Sequence, residues 1–166
     1  MESVIKYDTS KNVQYFQDAY DSIKKYNYLK RDNLSESHAQ HIVGLLFILK
    51  KYNEAEKFIE RNDNLKEFDK SQLLNIIKYQ HYKSREPEKA KKYLSDNLKM
   101  IESAITRSPK DSLLLFYYYN TKTFLLGKRN ALQEIDSLKR YDTKYSKYLY
   151  KELYEYIEKF PDDYFE

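Results

Sequence analysis

KKYNEAEKFIERN, residues 51–63, decides how this chain is read. It is either an isolated amphipathic helix or one half of a unit that recurs. Ala55, Phe58 and Ile59 fall on one face at helical spacing, with charged residues opposite. Aligned without gaps, LKKYNEAEKFI (49–59) matches LLGKRNALQEI (125–135), which sets Ala55 against Ala131 and Ile59 against Ile135. KSREPEKAKKYL (83–94) fits the same template, with Ala90 in the alanine position and Leu94 four residues later. The alanines are 35 and 41 residues apart. Each time an apolar helix precedes a short polar turn, and a second helix opens with a small residue. Two antiparallel helices joined by a short turn crowd most near that turn, where a larger side chain would force them apart. The stretch therefore reads as the turn and second helix of a repeated helical hairpin.

Composition points the same way. The 166 residues suit one domain, and two glycines and three prolines leave few tight turns. Charged residues make up 34% and aromatics 16%, including 19 tyrosines and no tryptophan, which argues against disorder. Without cysteine there are no disulfides and no cysteine metal sites. MESVIKYDTSKN has no apolar core of a signal peptide, and the longest apolar run, Ile42 to Leu49, is too short to span a bilayer. A soluble, cytoplasmic protein is expected, with no membrane partner. The net charge of +4 is a mild basic bias.

The periodicity predicts eight helices and no strand. The first follows the Asp8-Thr9-Ser10 caps and carries Val13, Phe16, Tyr20 and Ile23. The second, about 35–51, holds IVGLLFIL and should be buried on more than one side. The third carries Ala55, Phe58 and Ile59 and breaks at Asn62-Asp63-Asn64. The fourth opens at Asp69 or Ser71 and carries Leu73, Ile76, Ile77 and Gln80. The fifth starts at Pro87, runs through Ala90, Leu94, Leu98, Ile101 and Ile105, and stops at Ser108-Pro109. The sixth, about 110–126, ends on Gly127 as a left-handed cap. The seventh carries Ala131, Ile135 and Leu138; the eighth carries Tyr145, Leu149, Leu153, Tyr156 and Phe160 before Pro161.

This pattern resembles the tetratricopeptide repeat family, whose unit is a helix–turn–helix of about 34 residues. In residues 36–69, Ile42, Leu46, Tyr52, Ala55 and Ile59 fall on the family's leucine, first-helix aromatic, tyrosine, alanine and second-helix aromatic positions. Further units cover about 71–108 and 112–141, with capping helices at about 10–30 and 143–160. The family's glycine falls on Val43 and its late small residue on Asn62, and Lys122 stands at an aromatic position, so the match is degenerate. The resemblance implies an all-α, TPR-like short α-solenoid in a single domain; an unrelated helical bundle is the competing architecture.

No chemistry-bearing motif stands out. His38 and His41 in ESHAQH could share a helical face and, with Glu36 or His81, approach a metal, but an HxxH pair without a third ligand is a weak signal and a solvated helix start is the plainer reading. There is no GxSxG context and no glycine-rich phosphate loop, and Asp162 and Asp163 read as solvated. The chain is expected to be no enzyme and to use no metal or cofactor. KRYDTKYSKYLYK (139–151) interleaves five basic residues with four tyrosines, the composition of a single-stranded nucleic-acid groove, but six acids follow in ELYEYIEKFPDDYFE. A charged outer face with tyrosines packing inward is the plainer reading.

FYYYN (116–120) cannot turn every ring to one core. In the tetratricopeptide family the first helix of each hairpin lines a concave groove. The resemblance then places Gln40, Gly44 and Phe47, next Asn75, Tyr79, Tyr82 and Lys83, and finally Phe116, Asn120 and Thr123 on a partner-binding surface. Amides suit a peptide backbone, and tyrosines add contact area at low entropy cost. The expected function is binding and occupancy of a partner protein or peptide, one version being an immunity protein against a bacterial toxin. Single-stranded nucleic-acid binding through 139–151 is the alternative.

Overall fold

The computed structural model of the chain describes residues 9–31, 33–142 and 144–159, with side chains from Gln14 onward. Among them are eight α-helices, one 3-10 turn and no strand. The helices are α1 (Thr9–Lys25), α2 (Glu36–Ile48), α3 (Tyr52–Arg61), α4 (Glu67–Tyr82), α5 (Pro87–Arg107), α6 (Ser112–Leu126), α7 (Lys128–Tyr141) and α8 (Lys147–Glu158). Asp8, the Val13 side chain, Phe160, Pro161, Asp162 and Asp163 lie outside the described residues. The chain divides into two compact units, one ending at Ala90 and one starting at Lys91, with the division inside α5.

In the first unit, Tyr20, Ala39, Ile42, Val43, Leu46, Ala55, Phe58, Ile59, Leu65 and Ile77 form the core. α2 is less completely enclosed than its composition suggests: Gly44 and Ile48 are exposed and Leu45 and Phe47 are half-buried. Ser35 caps α2 by accepting from the His38 N–H. The α2–α3 turn closes with Lys51 N–H donating to Leu46 O (2.8 Å) and Lys50 N–H to Phe47 O (2.9 Å). That pairing needs a left-handed residue, and Lys50 takes it at φ 55° where glycine is usual. Arg61 and Asn64 then tie the end of α3 back to the carbonyls of Leu29 and Leu34. α4 begins at Glu67, earlier than either predicted start, because no side-chain cap is needed there: Lys66 supplies the boundary with extended backbone.

In the second unit, Leu115, Tyr119, Ile135, Tyr150, Leu153 and Ile157 form the core. α7 packs on α6 and α8, and α6 also meets α8. α5 begins at Pro87, as its first-turn proline predicts. Its buried stripe includes Asn97, which donates to Thr121 Oγ1 at 2.9 Å, and Thr121 in turn donates to Tyr117 O. Gly127 ends α6 but also opens α7, and its φ of 83° with ψ of 152° lies outside the left-handed helical well expected for it. Only glycine adopts that backbone readily. Tyr145 precedes α8, whose buried stripe is Tyr150, Leu153 and Ile157.

Ala55, Ala90 and Ala131 are all wholly buried. Replacing Ala131 by leucine should overpack the start of α7 and lower the unfolding free energy by about 1–3 kcal/mol. Urea titration of the variant beside a leucine placed at exposed Arg129, which should have little effect, checks the direction.

Candidate partner-binding surface

α2 and α4 present two matched rows. Gln40, Gly44 and Phe47 follow spacings of four and three along α2, and Asn75, Tyr79 and Tyr82 repeat those spacings 35 residues later along α4. Gln40 and Gly44 are exposed, whereas Phe47, Asn75, Tyr79, Tyr82 and Lys83 are half-buried. Lys83 is the residue on which α4 ends. A Cβ built on Gly44 would meet nothing within 4 Å.

The aromatic members are joined by two residues the sequence reading assigned elsewhere. Phe47 meets Tyr52 edge to face at 6.0 Å, Tyr52 lies 6.2 Å from the His81 ring, and His81 stacks on Tyr82 at 4.7 Å. His81 Nδ1 is 2.8 Å from Glu56 Oε1, with both side chains largely buried, so the carboxylate fixes the imidazole between the two tyrosines. The ammonium of Lys89 stands 3.9 Å from the centre of the Tyr82 ring and pairs with Glu86 at 3.1 Å. Burial raises the pKa of Tyr52 and Tyr79 above the usual phenol value, so both remain neutral hydrogen-bonding groups. Tyr52 and Glu56 share a face of α3 at i, i+4, which is the signal that could have placed them beside Phe47.

The residues expected from the second unit behave differently. Phe116 is half-buried and packs edge-on against Tyr156 at 5.4 Å. Asn120 is half-buried, with its Oδ1 sealed from solvent. Thr123 is wholly buried, its hydroxyl donating to Tyr119 O at 2.5 Å, so its expected place on a partner surface is corrected. The FYYYN rings are used inside the unit. Tyr119 is buried and donates to Glu134 at 3.1 Å, while Lys122 approaches the rings of Tyr118 and Tyr119 and meets Glu134 at 2.6 Å. Burial works most strongly against the charge on Lys122, but Glu134 and Tyr118 together outweigh it and its pKa lies above the ordinary value.

His38 and His41 are exposed, and the His38 ring sits 2.7 Å from the Ser35 hydroxyl at the α2 cap. Among the described residues no three His, Cys, Asp or Glu groups gather as metal ligands, and no helix is long and apolar enough to cross a membrane. In the 139–151 segment, Tyr150 is buried and Tyr145 half-buried, whereas Tyr141 and Tyr148 are 80% and 68% exposed. No protein-family model, curated protein or solved structure matches the chain.

Three tyrosines tie helices through carboxylates. The Tyr20 hydroxyl is 2.8 Å from both Glu54 oxygens, Tyr119 bonds Glu134, and Tyr150 bonds Asp142. Burial first, and then the carboxylate, raises each pKa, with Tyr20 pushed up to about 12. The protonated form is the one the fold favours. The resulting stability is intact below about pH 10, where an unfolded tyrosine ionises, and is lost as pH rises toward the folded value. The unfolding free energy should therefore fall from about pH 10 upward, and Tyr20→Phe should make that fall shallower. A urea titration series between about pH 8.5 and 11.5 measures it.

Proposed function

We propose that this chain is a non-enzymatic protein-interaction module that binds and occupies a partner protein or an extended peptide through the exposed face of α2 and α4. Its helices would pair as antiparallel hairpins stacked as a short tetratricopeptide-like α-solenoid, and it would act in the cytoplasm. Contacts in the first unit support the hairpin reading. Lys66, just before α4, lies 3.5 Å from Glu36 at the start of α2. Phe47 at the end of α2 and Tyr52 at the start of α3 meet His81 near the end of α4. Such contacts fit α2 and α4 running side by side with α3 returning between them.

The observation that carries the functional reading is Gly44. A glycine inside a helix costs about 1 kcal/mol relative to alanine. Packing gives no reason for it here, because the space a side chain would occupy is open. A bare backbone between Gln40 and Phe47 on the exposed side of α2 suits close approach by another chain. The amides can pair with a peptide backbone, and the braced rings of Phe47 and Tyr82 lose little freedom on contact. With no catalytic step, the effect would come from occupancy: bridging, sequestering or blocking. An immunity protein covering the active site of a bacterial toxin is one form of the last.

The test is co-purification of the tagged full chain from nuclease-treated extract of its own cells, compared with Gly44→Arg. The expected result is one stoichiometric protein held by the native chain in moderate salt and lost by the variant. The variant should retain its helical circular dichroism and melt no lower, since it fills open space and leaves the core untouched. A stoichiometric partner captured equally by both proteins would contradict the proposed face.

A further inference from the structure

Lys139, Arg140 and Tyr141 end α7, and Lys144, Lys147, Tyr148 and Lys151 follow across the connection and the first turns of α8. The carboxylates among them are already engaged. Asp136 holds the Arg140 guanidinium, and Asp142 accepts from the Tyr150 hydroxyl and, at 3.2 Å, from the Lys144 N–H. Glu155 is 3.7 Å from Lys151. No carboxylate among the described residues pairs with Lys139, Lys144 or Lys147. Helix stability does not explain Lys147, because a cation in the first turn of a helix opposes the dipole. The acids of α8 offset this charge only in part. Glu152 lies five residues beyond Lys147, about 7.5 Å along the axis and inside the screening length of about 8 Å at physiological salt, whereas Glu158 lies eleven residues on, about 16 Å away.

The tyrosines of the same segment sort into two kinds. Tyr145 and Tyr150 pack edge to face at 6.1 Å and serve the core, whereas Tyr141 and Tyr148 leave most of their ring surface in water. Lys144 stands 5.4 Å from the centre of the Tyr145 ring, so it is without a carboxylate but not without a contact. Accessible flat rings flanking cations that no carboxylate holds offer more than an acidic peptide would use. They match a chain that carries both phosphates and unpaired bases, since every base has a face to stack and a duplex hides those faces. We propose that the α7–α8 turn is a second binding surface, separate from the α2–α4 face, for single-stranded nucleic acid. Lys139, Lys144 and Lys147 take its phosphates, and Tyr141 and Tyr148 stack on its bases.

Fluorescence anisotropy of the full chain with a labelled 20-nucleotide oligo-dT, in salt from 50 to 200 mM, tests this. Binding should weaken with a log–log salt slope of about −2, as roughly 0.7 per phosphate for three contacts requires. The triple variant K139Q/K144Q/K147Q should lose that slope. Tyr141→Ala and Tyr148→Ala should each weaken binding by roughly tenfold with unchanged circular dichroism, as loss of one stacked base implies. Absence of binding at micromolar protein in 50 mM salt would overturn the proposal. So would a duplex of equal length binding as tightly, or inorganic polyphosphate competing equally while the tyrosine variants bind like the native chain; the last result would mean attraction by charge alone.

Discussion

Complete burial of a small residue near the start of a helix is the constraint on which the rest of this molecule depends. Ala55, Ala90 and Ala131 are each near the start of a helix that follows a short connection, and each is sealed completely from solvent. A methyl group at such a point lets the neighbouring backbone come near enough for the next residues on the face to interlock. Ile59 and Ile135, four residues further on, are wholly buried in their turn. With the inner faces fixed this tightly, variation is left to the outer faces, and there the glycine, amides and half-exposed rings of α2 and α4 stand out.

Tyrosine does much of the work that tryptophan and phenylalanine do elsewhere. Its ring supplies apolar area, and its hydroxyl must then find a partner when buried. Tyr20 reaches from α1 to Glu54 on α3, and Tyr119 from α6 to Glu134 on α7. Tyr150 reaches back to Asp142. Each contact adds direction to a packing force that has none, so these pairs help select one arrangement of the helices from several of similar burial. The His81 and Glu56 pair does the same for the aromatic row of the first unit. Its imidazole is ordered from one side by a carboxylate and from the other by two phenol rings. A surface ordered in advance loses less entropy when a partner arrives.

Helical periodicity made most of this architecture legible before any coordinates. Pro87 marks the start of α5, and the alanine, phenylalanine and isoleucine stripe of α3 is buried as its spacing requires. Where the reading failed, periodicity and residue preference were the wrong guides. Thr123 lies at a groove position by analogy with a repeat, but its hydroxyl satisfies itself on the carbonyl one turn back and so can be buried. Asn97 falls on the α5 stripe between Leu94 and Ile101, yet an amide there looks like a surface residue until its partner Thr121 is seen on another helix. Lys50 takes a backbone conformation that preference reserves for glycine. In the 139–151 segment, alternation of bases and tyrosines could not say which rings turn inward; Tyr145 and Tyr150 do, and Tyr141 and Tyr148 do not.

The central claim is that the outer face of α2 and α4 is where a partner sits. Hydrogen–deuterium exchange of the full chain, alone and in complex with its co-purified partner, tests it most directly. The account predicts new amide protection concentrated in residues 40–47 and 75–83, with α7 unchanged. Protection absent from both of those segments while a stable complex is present would contradict it.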